Sequence, residues 1–347
     1  MVLTDNSAIE NIAIHHVGNK SNDDSLFLSQ TELSIDESIG KLLLHYFLTP
    51  FKSNEHYCFF HDIDLNMNEA FVCASRIFDN PDCLMEQSVF LAKHLHENSA
   101  HPNIKGGEFY VVYFSNCILN GETLDAIGLF KSENKDTFLK VYPTNGGFKI
   151  DSQQGININK LDKGCLIFNA NKDDGYIVSI VDATNKGNEA RYWIDDFLRV
   201  RQFQDEYYKT QNIMSMYKAF VTTELPQQFE ITKADQAELI NESVKFFKEK
   251  DTFDFEGFGN EVLKQPEVIQ CFSNFNNKYQ QDRDIEISDS FAISESAVKK
   301  QMRAFKSVIK LDKNFHIYLH GDNQFIKRGY DEPTGMHYYQ LFFKEEM

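Results

Sequence analysis

The sequence predicts an α+β protein of two domains, with antiparallel or mixed sheets and helices packed outside hairpin-connected strands. Three observations carry this. The 347 residues exceed the size at which one core stops growing, and 42% hydrophobic content with 31 Phe and 15 Tyr can fill two cores. Glu108 to Val141 reads as three successive extended pieces: the β-branched and aromatic run Phe109 to Phe114, Ala126 to Lys131 after an Asn120-Gly121 turn, and Thr137 to Val141. Helical periods fall before and after the hairpins rather than between successive strands, which argues against a wound parallel sheet. The meander 109–141 is expected at the centre of an N-terminal domain, 1–222, followed by a C-terminal domain, 223–347.

The elements follow in order. Ile9 to Val17 and Leu26 to Leu28 form an expected strand pair around Gly18-Asn19. Ser34 and Glu37 make an S-x-x-E capping box, and Ile35, Ile39, Leu42, Leu43, Tyr46 and Phe47 line one face of the helix behind it until Thr49-Pro50. Tyr57 to Phe60 is extended. Asn80 and Asp82 around Pro81 open a second helix that buries Met85, Val89, Leu91, Ala92 and Leu95. After the meander, Lys140 to Lys163 reads as a polar connection anchored by Phe148 and Ile150. Strands at Cys165 to Phe168 and Tyr176 to Val181 flank an Asp173-Asp174-Gly175 turn.

Tyr192 to Phe220 lacks Gly and Pro and repeats its apolar residues at three and four, which predicts one long helix bent near Thr210. Thr232 and Asp235 cap the next helix, Pro266 opens another, and Ser294 caps a basic helix over 295–310. Extended pieces at Phe315 to Leu319, Gln324 to Lys327 and Met336 to Phe343 close the chain.

The formal net charge is −17, unevenly spread. Between Phe291 and Tyr330, eight basic residues stand against three acidic ones, a balance of +5 that leaves −22 elsewhere. Lys299, Arg303, Lys306 and Lys310 are spaced by four, three and four, so on one helix they form a stripe able to follow a phosphate backbone. Lys300, Lys313, Lys327 and Arg328 flank it. A plain solvated helix face is the competing reading of the same pattern. Six cysteines lie far apart without a C-x-x-C pair, as reduced core residues do. The first residues lack the apolar core of a signal sequence and no run of about 18 apolar residues occurs, which predicts a protein neither exported nor membrane-spanning.

The charged loop Lys131 to Asp136 is a candidate interaction loop through Lys131, Glu133 and Lys135. Asp125 with Glu133 and Lys135 also has the composition of a metal-dependent nuclease set, but only seven residues separate Asp125 from Glu133, and Glu133 and Lys135 lie beyond the strand. His15-His16, His61 with Asp62 and Asp64, and His94 with His96 and His101 lack zinc-enzyme spacing. No G-x-G-x-x-G, P-loop or G-x-S-x-G motif occurs, so the expectation is a protein with no catalytic residue, no metal and no cofactor.

The block Val111 to Val141, VVYFSNCILNGETLDAIGLFKSENKDTFLKV, resembles the signature region of the NdpA family of bacterial nucleoid-associated proteins. The similarity extends from Ile14-His15-His16-Val17-Gly18 to Phe305-Lys306-Ser307-Val308-Ile309-Lys310-Leu311-Asp312. It implies a cytoplasmic, nucleoid-located DNA binder, with type II topoisomerases as a linked partner class, and it assigns no catalytic residue. The acidity of this chain departs from the usual basic nucleoid protein and leaves an adaptor role beside direct DNA contact. The abundance of aromatic residues adds the expectation of a homodimer.

Overall fold

The computed structural model describes residues 2–3, 7–22, 24–184, 192–283, 285–302, 305, 308–312, 314–318 and 325–345. The chain divides into two compact units, Met1–Phe203 and Gln204–Met347. Their architecture is α+β, and every strand pair among the described residues is antiparallel.

The first unit contains β1 (Val2–Leu3), β2 (Ala8–Val17), β3 (Leu26–Leu28), α1 (Glu37–Leu48), β4 (Tyr57–Phe59), α2 (Glu69–Asp79) and α3 (Leu84–Asn98). It continues through β5 (Gly107–Leu119), β6 (Glu122–Ser132), β7 (Asp136–Thr144), β8 (Gly147–Gly155), β9 (Lys163–Phe168), β10 (Ile177–Asp182), a π-helical turn at Tyr192–Leu198 and β11 (Val200–Gln202). A nine-stranded sheet runs in the order β11-β4-β10-β9-β6-β5-β2-β3, with β1 on β5.

Helices cover both faces of this sheet. Phe109, Val111 and Tyr113 of β5 pack with Ile127 and Leu129 of β6 against buried residues of α2, α3 and the π turn. Tyr110, Val112, Phe114, Ala126 and Phe130 pack against Tyr46, Phe47 and Leu48 of α1. Two covered faces explain why the central strands read as continuous apolar runs instead of alternating ones. Gly128 is required within this layer: a Cβ there would come within 2.3 Å of the Phe130 ring, which stacks on Phe47 at 4.2 Å.

The expected three-strand meander is corrected by this topology. β5 and β6 pair as expected, but the neighbour of β6 is β9, while β7 pairs only with β8 in a separate hairpin. The place beside β6 goes to a strand buried along its whole length, Lys163–Phe168, while β7 and β8 are mostly exposed. The polar connection read at Lys140 to Lys163 therefore contains a strand. Helix α1 is capped by Asp36, which accepts from Ile39 N at 2.9 Å, two residues beyond Ser34. Helix α2, capped by Asn68, has no counterpart in the sequence-based expectation, and the expected helix after Pro81 starts at Leu84 behind a short 3-10 turn.

The long helix expected over 192–220 is broken. Arg199 takes a left-handed backbone, φ 50°, Val200–Gln202 joins the sheet against β4, and Asp205 starts a new helix by accepting from Tyr208 N. That helix, α4 (Glu206–Ala219), belongs to the second unit, so the division falls at Phe203/Gln204 rather than at 222/223. Residues Phe220–Glu224 continue as a π turn with Phe220 and Val221 buried.

The second unit adds α5 (Leu225–Gln228), α6 (Lys233–Glu249), β12 (Thr252–Asp254), α7 (Phe255–Phe258), α8 (Pro266–Arg283), β13 (Ser290–Ala292) and α9 (Glu295–Gln301). Two hairpins follow: β14 (Val308–Leu311) with β15 (Phe315–Tyr318), and β16 (Ile326–Asp331) with β17 (Met336–Leu341). The Thr232–Asp235 capping box is present at the start of α6. The core of this unit is built of phenylalanine: Phe247 stacks on Phe253 at 5.7 Å and Phe255 on Phe272 at 5.1 Å.

The basic helix expected over 295–310 is corrected as well. α9 ends at Gln301, and Lys310 lies on β14, where Val308, Ile309 and Leu311 favour extended backbone and Asp312 turns the chain at φ 48°.

Candidate functional site

Two places carry the charged residues singled out by the sequence. The first lies at the end of β6. Lys131 pairs across the sheet with Lys163 of β9, which places two ammonium groups beside one another at the edge of an apolar layer. Lys131 Nζ donates to the Lys105 carbonyl at 2.8 Å and to Tyr192 Oη at 3.1 Å, and lies 3.3 Å from Glu133 Oε1. Tyr192 Oη in turn donates to Glu133 Oε1 at 2.7 Å. Lys163 Nζ reaches Asp182 Oδ1 at 2.8 Å and Thr184 Oγ1 at 2.9 Å. Both ammonium groups also lie near the Tyr192 ring, at 5.3 and 5.1 Å from its centroid.

Burial sets the electrostatics. It depresses the Lys131 ammonium, Glu133 opposes that shift, and Lys163 adds to it by like-charge repulsion. The Tyr192 phenol is raised, first by burial and then by the Glu133 carboxylate. The loop itself is held by Asp162, whose carboxylate accepts from Glu133 N at 2.7 Å, Asn134 N at 2.8 Å and Asn134 Nδ2 at 2.7 Å. Lys135 points elsewhere and pairs with Glu108. Of the three loop residues expected to interact, Lys131 and Glu133 are thus brought together with side chains 0% and 6% exposed, while Lys135 is exposed and engaged in a separate pair with Glu108.

An open cleft of about 1250 Å³ lies over this network, lined among others by His45, Lys52, Lys105, Glu133, Lys160 and Tyr192. Sequence reasoning misses Lys163, Asp162, Asp182 and Tyr192. A signal exists: Lys131 ends one apolar strand and Lys163 begins another, so each ammonium group borders a core.

The nuclease set does not assemble. Asp125 stands near the start of β6 and Glu133 just past its end, eight residues on, which at the rise of an extended strand is about 26 Å. Asp125 accepts instead from Tyr113 Oη at 2.8 Å. Among the described residues, no group of three or more His, Cys, Asp or Glu side chains is placed to hold a metal ion. The histidines have separate partners: His15 with Ser88, His56 with Ser179, His94 with the Phe197 carbonyl.

The second place is the C-terminal unit. Lys299 is exposed on α9 with Glu295 at 3.1 Å, and Lys300 lies over the Tyr207 ring at 5.6 Å. Lys310 faces solvent on β14 opposite His316, Lys327 on β16 opposite Gln340, and Arg328 opposite Tyr339. Lys310, Lys327 and Arg328 have no acid partner among the described residues, and Lys327 sits over the Phe342 ring at 5.5 Å. Tyr318, Tyr330 and Tyr338 are exposed on the same two hairpins. Arg303, Lys306 and Lys313 lie outside the described residues.

Among the described residues, no helix is long and apolar enough to cross a membrane. Comparison with the curated proteins gives no match. The family model described as nucleoid-associated protein YejK matches residues 13–335, which takes in the sheet of the first unit from the middle of β2 onward, the phenylalanine core, the β14–β15 hairpin and β16, and ends before β17. On that match the chain belongs to the family of nucleoid-associated proteins described under YejK.

Proposed function

We propose that the chain is a non-catalytic, cytoplasmic protein of the bacterial nucleoid that acts as a homodimer and binds duplex DNA through its C-terminal unit, largely without reading sequence. The observation that carries this reading is the set of exposed cations Lys310, Lys327 and Arg328, each without an acid partner among the described residues, on hairpins that also expose Tyr318, Tyr330 and Tyr338. The registers put Lys310 on one hairpin face with Tyr318, Lys327 with Tyr338, and Arg328 on the opposite face of β16–β17 with Tyr330, so each cation has an exposed ring on its own face: the cation can meet a phosphate and the ring can lie against a sugar or frayed base. Lys299 and Lys300 are exposed on α9, and with Arg303, Lys306 and Lys313 they belong to the same basic stretch of sequence as Lys310. Family membership supports chromosome association. The loop at Lys131, Glu133 and Lys135 has no part in DNA contact in this reading, because Lys131 and Glu133 are buried and Lys135 is paired.

The −22 balance outside residues 291–330 favours a second reading, an adaptor whose basic surface grips an acidic chromosome-associated protein such as a type II topoisomerase. Retention of a random duplex by the purified chain at about 50 and 200 mM salt separates the two. Direct binding gives retention that falls steeply with salt. The adaptor gives retention only after the partner is added.

A further inference from the structure

The hairpin β7–β8 pairs with no other strand of the molecule among the described residues. Its register places Leu139, Val141 and Pro143 on one face with Ile150 and Phe148. Leu139 is 68% exposed, Val141 57%, Phe148 77% and Ile150 61%. The opposite face is satisfied from within: Tyr142 donates to Asp151, Lys149 pairs with Asp151 at 3.3 Å, and the Phe138 ring lies against Gly155. A lone two-stranded hairpin is marginal in water, and a contiguous apolar stripe on it marks a docking surface.

We propose that this stripe packs against the same stripe of a second copy of the chain, making the hairpin a dimerisation arm. The inference rests on the homodimer in the proposed function and assigns it a surface. Charge and shape both favour a second copy. Asp136, Lys140, Lys149 and Asp151 cancel within residues 136–155, so two copies of a −17 chain can meet there without bringing net charge together. The apolar face has no cation for a nucleic acid and no charge for an ionic partner. Side-chain bulk is about even at the Pro143–Phe148 and Val141–Ile150 pairs and falls at Leu139–Ser152. A two-fold antiparallel stacking sets the Phe148 end of one copy over the leaner Leu139–Ser152 end of the other, with Val141 and Ile150 at the axis, which is the self-complementarity an isologous interface needs.

Sedimentation equilibrium at micromolar concentration tests this on the full chain. Wild type is expected at twice 40.3 kDa, V141K/I150K at 40.3 kDa, and F138K, altered on the opposite face, at the dimer mass. The altered side chains face solvent in the single chain, so the far-UV circular dichroism of each variant is expected to match wild type. The milder L139S/F148S variant is expected to weaken self-association at least tenfold. Wild type at 40.3 kDa would overturn the homodimer and the arm together. A dimer that persists in V141K/I150K overturns the arm alone, and equal loss in F138K overturns the assignment to this face.

Discussion

Lys131 Nζ lies 3.3 Å from Glu133 Oε1, with the two side chains 0% and 6% exposed. A lysine that positioned an attacking water would have to reach one, and this ammonium group is spent on the Lys105 carbonyl, Tyr192 and Glu133. The pair therefore serves the fold: it closes the end of β6 and ties it to the π turn. Removing one partner of a buried pair strands the other charge. Glu133→Ala is expected to lower stability by about 3 kcal/mol in urea unfolding, while K131M/E133L regains most of the loss. An E133A variant as stable as wild type would show that the ammonium group finds solvent.

A second prediction concerns pH. His15 Nδ1 accepts from Ser29 N at 3.2 Å, so Nε2 carries the proton and donates to Ser88 Oγ at 2.8 Å, an arrangement that needs a neutral ring. Burial lowers His15 from 6.5 to about 4, and burial lowers His56 likewise to about 4. Both folded values lie below the unfolded one, so the stability they permit is complete above about pH 6.5 and is lost as pH falls toward 4. Each histidine is expected to cost about 2 kcal/mol between pH 7 and pH 5. Urea midpoints measured across that range check this, and a flat profile between pH 7 and pH 5 would contradict it.

Truncation tests the division of the chain. α4 and the π turn after it contribute Ile213, Met214, Met216, Tyr217, Phe220 and Val221 to the phenylalanine core. A fragment from Gln204 onward is expected to unfold cooperatively, and one beginning at Thr223 to show no cooperative transition. The connection at 222–228 is helical, with Leu225 buried, so limited proteolysis is expected to spare it.

How much of the fold and the site is legible in the sequence depends on the range of each signal. Local chemistry is readable: the Thr232–Asp235 box caps α6, and the Asn120-Gly121 pair turns at φ 52° and 90°. Periodicity misleads where it runs through a break. The aromatic spacing from Trp193 to Phe220 continues across Arg199, whose left-handed backbone no neighbouring Gly announces. Basic spacing likewise runs from Lys299 to Lys310 across the end of α9. Partner choice in a sheet is non-local, so β7 can be read as extended without showing that β9 takes its place beside β6. Lys131 and Glu133 are close in sequence, but the burial of the pair depends on Tyr192 and Lys163, which no local pattern brings to it.

DNA contact by the C-terminal unit is the central claim, and one comparison tests it most directly: wild type against K299A/K310A/K327A/R328A, by retention of a random duplex at about 50 and 200 mM salt and by thermal melting. All four side chains are exposed, so melting is expected to be unchanged. Wild type should retain duplex at the lower salt. The variant should bind more weakly with a shallower salt dependence, by roughly 0.9 log units per log unit of salt for each phosphate it no longer neutralises. Wild type that retains no duplex at the lower salt, or a variant that binds as tightly as wild type, would contradict the account.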